Sequence, residues 1–437
     1  MRGPDAYPTV SGVAAAARVL TQRHPDLCRM RLAGESRSGR PLWLLSVGHG
    51  RRHILVVAGP HPDEQAGGAT ALWLAEQAVH DRQRLKDEDL TWDLLLCLDP
   101  DGTVLNETGP AGERPPAVHY RHTFRPAADE QPEWAGSFRA PGDELPETYA
   151  LLAVVDELRP VLQCSLHGTD VGGSWVQLTA DLPGLAEPFG KAAAELDIPV
   201  QTGTYDALFW NGSGPGVFVL PTGGAQERFA SEPENADGST WSRPHRYGGL
   251  TAVIEVPMWA SRRVADPAPH PDPEHALTVL AARLRKDGAA TAGAVERALP
   301  FLERAGTPAG HPLLRGVEQA VSAFPALAED YEALGAQAAA GRAPCELTMA
   351  HLAALDIAAR RIPLRAGGML LRLLDESRCE DAEGVDGEGA RLRSRLERRL
   401  DAGARDLIGA ADARWVPVPD QVELQARICL AAAYARR

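Results

Sequence analysis

His61 and Glu64 stand three residues apart in Gly59-Pro-His-Pro-Asp-Glu64, just after an apolar run, and a second histidine, His167, follows another apolar run at 161–166. Two imidazoles and one carboxylate are the protein donors of an open zinc site, in which a fourth position is left for water. Zinc in such a site lowers the pKa of that water and polarises a substrate carbonyl. The chemistry also needs a proton acceptor beside the water. Glu255 is the candidate: it interrupts the β-prone run Ala252-Val-Ile-Glu-Val-Pro257, where a carboxylate is costly unless it has a partner or a task. The plainer alternatives are structural histidines at strand ends and a glutamate facing a solvated sheet edge. Against them stands the coincidence of the complete set in one chain, and one zinc ion per chain is the expectation.

Such residues act together only if the fold brings their segments to one edge. Residues 54–58 are short and apolar throughout, the mark of a strand buried on both faces, and 94–98 and 161–166 read the same way. Open α/β sheets place ligands at the carboxyl ends of such strands, where His61, Glu64 and His167 fall. Further strands are expected at 42–47, 176–179, 217–220 and 251–256, and helices at 7–27, 69–80 and 147–158. The first strand joins 53–58 through a turn at Gly48-His-Gly50. Residues 81–89 read as a charged loop and Asn211 to Gly216 as flexible. The Pro-, Gly- and charge-rich stretch 103–146 reads as a long loop of the functional kind. The fold class is α/β.

Composition shifts at Asp266-Pro-Ala-Pro-His-Pro-Asp-Pro273, a proline cluster that marks a boundary. Beyond it Leu277, Leu280, Ala281 and Leu284 recur at helical spacing, and similar patterns fill 311–339, 345–376, 388–409 and 420–435. The last opens on Asp420 and Glu423, spaced as a capping box, and an acidic loop at 380–389 separates two of the others. The chain therefore divides into a chemical part, 1–265, and an all-α C-terminal region, 274–437. The plain role of that region is packing or self-association as a homo-oligomer.

A chain of 437 residues has material for two or more domains. Its formal net charge of −14, without a basic stripe for phosphates, argues against a nucleic-acid partner. No apolar run nears the ~20 residues of a membrane span. Met1-Arg-Gly-Pro-Asp lacks the apolar segment of a secretory signal, so a soluble, cytoplasmic protein without a membrane partner is expected. Cys28, Cys97, Cys164, Cys345, Cys379 and Cys429 include no Cys-x-x-Cys pair and form no disulfide framework by spacing.

The chain resembles the zinc carboxypeptidase family, the metallopeptidases of carboxypeptidase A and B type. The resemblance is carried by Tyr7, His24-Pro25, Gly34-Glu-Ser-Arg-Ser-Gly-Arg-Pro41 and the metal motif His61-Pro-Asp-Glu64. It continues through Asp99-Pro-Asp-Gly102, where the family has Asn-Pro-Asp-Gly, through His167 as third ligand and through Glu255 as catalytic glutamate. It covers residues 7–260 and implies a mixed, largely parallel sheet flanked by helices, with zinc at the strand ends. The family binds a substrate carboxylate with an Asn-Arg pair and a further arginine, but no Asn-Arg lies between Gly102 and His167. Arg121 and Arg125, in Tyr120-Arg-His-Thr-Phe-Arg-Pro126, are the substitutes, with Asn106 assisting. Solvated loop arginines are the alternative.

The expected function is a zinc-dependent hydrolase of the metallocarboxypeptidase kind, acting on a peptide or small peptide-like substrate. Zinc-activated water attacks the amide carbonyl, Glu255 moves the proton to the leaving amine, and zinc with an arginine stabilises the oxyanion. Deacylation of small N-acyl amino acids on the same site, and a non-catalytic binding protein that kept the fold, are the competing expectations.

Overall fold

The structure, a computed structural model, describes residues 4–140, 142–221, 236–377 and 387–436. Its strands are β1 (Cys28–Glu35), β2 (Pro41–Gly48), β3 (Arg52–Val57), β4 (Leu90–Leu95), β5 (Leu162–Gly172), β6 (Trp175–Leu178), β7 (Asn211–Gly214), β8 (Val217–Val219), β9 (Leu250–Ala260) and β10 (Arg414–Trp415). The helices of the first part are α1 (Val10–Arg23), α2 (Gly67–His80), α3 (Arg82–Asp87), α4 (Pro100–Asn106), α5 (Pro116–His122), α6 (Ala135–Phe138), α7 (Pro146–Leu158) and α8 (Ala186–Glu195). Then come α9 (Pro273–Arg304), α10 (Pro312–Ala339), α11 (Met349–Ser377), α12 (Gly387–Ala411) and α13 (Val418–Ala435). Cys379 and most of the acidic stretch 380–389 lie outside the described residues.

Among the described residues the strands form one mixed sheet in the order β1-β2-β4-β3-β5-β9-β6-β8-β7, with β10 also on β9. The centre, β4-β3-β5-β9, is parallel, as its apolar runs require; β1–β2, β2–β4, β6–β9 and β7–β8 are antiparallel. α1, α2, α8 and α13 cover one face, where Val13, Leu74, Phe189 and Ile428 pack on Ile54, Leu166 and Ile254. α7 covers part of the other through Leu151 and Val154 against Leu55 and Val57. The fold is thus a mixed sheet flanked by helices, followed by a helical C-terminal region.

Several elements differ from the sequence reading. The edge strand β1 alternates Cys28, Met30 and Leu32 with Arg29 and Arg31, a period-two pattern that the reading passed over. The charged loop contains α3, and the stretch read as flexible forms β7. The Asp99-Pro-Asp-Gly102 turn opens α4: the Asp99 carboxylate accepts the Gly102 N–H at 2.9 Å, and Pro100 starts the helix. Asp101 then accepts from the Ser36 hydroxyl (2.9 Å), the Ser38 N–H (3.0 Å) and Arg40 Nη1 (3.1 Å). Two stretches far apart in sequence lock together there. The proline cluster ends as the first turn of α9, capped by Asp272. α13 starts at Val418, ahead of the expected capping box, and lies on the sheet rather than on the other long helices.

Among the described residues no helix is long and apolar enough to cross a membrane.

Candidate metal centre

After β3 the chain turns at Gly59, whose φ of 58° suits glycine, and delivers His61 and Glu64 ahead of α2. The Glu64 N–H bonds the His61 carbonyl at 3.2 Å, which closes the turn between them. His167 lies inside β5 rather than at its end, because β5 continues to Gly172. β9 likewise runs past Glu255 to Ala260. The two strands are parallel neighbours in a register that pairs His167 with Glu255, so both side chains leave the same face.

The three expected ligands converge. His61 Nδ1 lies 2.9 Å from Glu64 Oε1, and His167 Nδ1 lies 3.1 Å from Glu64 Oε2. One donor atom from each residue falls within 4.8 Å of the others, and all three residues are buried. Glu255 Oε1 is 3.9 Å from His167 Nδ1, while its Oε2 is buried and has no hydrogen-bond partner. Two imidazole nitrogens and a carboxylate gathered this tightly fit the donor set of a zinc ion, with an acid-base group alongside.

The charges are strongly coupled. Burial pushes Glu64 up, but His61, His167 and Arg125 hold it well below the usual glutamate range. Burial pulls His167 down, but Glu64 and Glu133 outweigh it and leave the imidazole well above its ordinary value. Burial pushes Glu255 up to about 8, with Glu64 adding to the shift and His167 opposing it. A carboxyl in that range exchanges its proton near neutral pH.

Glu133 is a residue of the candidate site that the sequence did not point to. It is fully buried, with Oε2 2.9 Å from His167 Nε2. It also accepts from the Ser165 hydroxyl at 2.6 Å and the Trp241 indole N–H at 2.9 Å. A carboxylate on the far nitrogen of a ligand histidine fixes the ring's tautomer and orientation. Its segment carries no periodic pattern, and its partners lie 32 to 108 residues away, so no local signal marks it.

Of the residues expected to hold substrate, the structure brings one to the site. Arg125 lines the cavity, and its Nη1 contacts Asp63 Oδ1 (2.9 Å) and Glu64 Oε1 (2.7 Å). Arg121 instead faces α11 and α12, paired with Asp375 (2.9 Å) and Glu397 (2.8 Å). Asn106 is spent on the backbone: its amide donates to the Phe124 carbonyl (2.9 Å), and its oxygen accepts the Phe124 N–H (2.8 Å). Neither lines the cavity over the site, whose volume is about 590 Å³. Trp134, Trp175 and Trp241 form part of its wall, and α10 and α11 contribute to it with residues such as Gln319, Ala323 and Arg361.

The zinc carboxypeptidase family model matches residues 13–172, a span that holds His61, Glu64 and His167 and ends before Glu255. No curated protein matches the chain. Likeness to solved structures is distant. A metallo-carboxypeptidase from Burkholderia cenocepacia shares 17% identity over 58% of this chain and 60% of its own, with a TM-score of 0.38. Carboxypeptidase A from Helicoverpa armigera shares 15% over 58% and 65%, at 0.39. The murein-tripeptide amidase of Escherichia coli O157 shares 17% over 52% and 82%, at 0.29. The match thus spans about 60% of the length of the Burkholderia protein.

Proposed function

We propose that the zinc carboxypeptidase domain at residues 13–172, completed by Glu255, hydrolyses the amide bond of a peptide or small peptide-like substrate. The observation that carries this is the convergence of His61, Glu64 and His167 beside the Glu255 carboxyl in one cavity. Zinc held by those three side chains would supply a Lewis acid for the amide carbonyl and a water acidic enough to attack near neutral pH. Glu255 takes the proton on its unpartnered Oε2 and returns it to the leaving nitrogen. Glu64 is held for its part by the Gly168 N–H at 3.1 Å, and His167 by Glu133. Arg125 brings a positive charge to the same wall, where it favours an oxyanion.

Residues 1–265 are in this proposal the catalytic domain, and 274–437 a helical domain that roofs it. A cavity of about 590 Å³ walled on one side by α10 and α11 supports a small substrate over a long chain. Small N-acyl amino acids present the same amide to the same residues, so dipeptides and N-acyl amino acids belong in one assay panel.

Metal content and hydrolysis of that panel, measured on wild type, His167→Ala and Glu255→Gln, test the proposal. Wild type should carry about one zinc per chain, and His167→Ala should lose both metal and activity. Glu255→Gln should keep its zinc and lose about 10²–10⁴-fold in kcat. A folded wild-type protein that takes up no zinc on addition, or a Glu255→Gln enzyme of undiminished rate, overturns it.

A further inference from the structure

Resting on the metal-dependent hydrolase proposed above, we infer that Arg365 of α11 is a positioning residue that ties together the two segments carrying the metal ligands. The helical region is then a working part of the site and not an appendage to it. Asp63 sits between His61 and Glu64, and Asp170 lies three residues beyond His167; both carboxylates are buried, at 2% exposure. Arg365 reaches both of them, with Nη2 3.3 Å from Asp63 Oδ2 and Nε 3.3 Å from Asp170 Oδ2. These are charge contacts, since the Nε–H is not aligned on an acceptor. The pairing continues on either side. Asp63 Oδ1 meets Arg125 Nη1 at 2.9 Å, and the same nitrogen meets Glu64 Oε1 at 2.7 Å. Asp170 Oδ1 meets Arg361 Nη1, one turn earlier on α11, at 3.3 Å, and its Oδ2 accepts the Tyr120 hydroxyl at 2.8 Å. Alternating charges therefore run without a break from the ligand Glu64 to α11.

Attachment of α11 does not require this line. Leu364, Met369, Leu370 and Leu371 already pack with Tyr120, Phe124, Val171 and Met258 in one apolar cluster. Buried ion pairs add little net stability, because desolvation offsets the attraction, but they demand one geometry. What Arg365 supplies beyond packing is a fixed separation between Asp63 and Asp170, and hence between the loop of His61 and Glu64 and the strand of His167. The brace comes from residues beyond the 13–172 span of the family match. Arg360 on the same helix points elsewhere, to Asp356 and Asp406.

The full-length chain with Arg365→Gln, Arg365→Lys and, as control, Arg360→Gln tests the inference. Zinc affinity is read by chelator competition, ligand geometry by the visible spectrum of the cobalt-substituted protein, and fold by the thermal midpoint. Arg365→Gln should bind zinc about 10–100-fold more weakly and shift the cobalt bands. Arg365→Lys should recover part of the loss, because a single ammonium keeps the charge but not the fork. Arg360→Gln should leave zinc affinity and spectrum unchanged. Wild-type affinity and spectrum in Arg365→Gln overturn the inference, even if the thermal midpoint falls, since Arg365 would then only hold the fold. If Arg365→Gln does not fold, a folded Arg365→Lys with wild-type affinity and spectrum overturns it equally. A wild-type protein that binds neither zinc nor cobalt sinks the hydrolase proposal itself, before any variant is compared.

Discussion

Beside the segments of the two histidines lie two buried carboxylates, and their surroundings shift them in opposite directions. Glu133, against His167, is surrounded by donors: the ring of His167, the Ser165 hydroxyl and the Trp241 indole. Burial pushes it up, but His167 and Ser165 outweigh that and hold it below the ordinary glutamate range. Asp99, on the turn that backs the His61 loop, accepts one backbone N–H from Gly102, and its Oδ2 is buried without a partner. Burial pushes it up to about 7; the Gly102 N–H and Arg37 oppose this, while Glu147 and Asp101 reinforce it. Burial with few donors raises a carboxyl's pKa, whereas burial among several donors can lower it. The contrast extends to the histidines. His167 is gripped at Nε2, while the Nε2 of His61 is buried with no partner. The far nitrogen of His167 therefore has a charged partner, and that of His61 has none.

The sharpest way to break that contrast is Glu133→Gln. The amide keeps the volume but loses the charge that orients His167, and zinc affinity should fall by about 10–100-fold. Chelator competition measures this, and the 15N shifts of His167 in the metal-free protein report whether its tautomer has changed. Undiminished affinity would mean that β5 holds the ring unaided, and the two sides of the site would no longer differ.

How much of this could be read from sequence follows the same divide. His61, Glu64, His167 and Glu255 were legible because each sits in or beside an apolar run, where a polar side chain needs a reason. The parallel centre was legible from the same runs. Glu133 was not, because it lies between Pro132 and Trp134 in a stretch without periodicity, and its role exists only through partners on β5 and before β9. Arg365 was hidden for a related reason: on α11 it reads as one more arginine of a helix, and its partners are some 200 to 300 residues earlier. Arg121 and Asn106 were misplaced because a loop sequence does not say which way a side chain turns. Arg121 found carboxylates on α11 and α12, and Asn106 found the Phe124 backbone. The run at 420–435 looked like its helical neighbours, since periodicity reports an apolar face and not the surface that the face will meet.

A smaller effect probes the His61 side. A Cβ on Gly102 would lie 2.6 Å from Asp99 Oδ2 and 2.8 Å from Cβ and Cγ of Pro62. Gly102→Ala must therefore push α4 away from the loop that carries His61, at a cost of about 1–3 kcal/mol in urea unfolding. Because Gly102 packs directly on Pro62 of that loop, zinc affinity should fall with it, but by less than in Glu133→Gln. An alanine tolerated without loss of stability would show that α4 does not brace His61.

The smallest effect, and the one that isolates the protonation contrast, is the pH dependence of stability in Asp99→Asn. Asparagine keeps the oxygen that caps α4 and removes the titration. In wild type the folded-state pKa is raised from 3.8 to about 7. Asp99 therefore contributes stability that is full below the unfolded pKa and is lost as pH rises through about 7, because the folded chain binds the proton more tightly than the unfolded one. Between pH 6 and pH 8 wild type should lose about 1.4 kcal/mol that Asp99→Asn keeps, the equivalent of one pKa unit. Urea midpoints at the two pH values measure it. Parallel shifts in both proteins would mean that Asp99 is already ionised when folded, and that the two carboxylates are held alike.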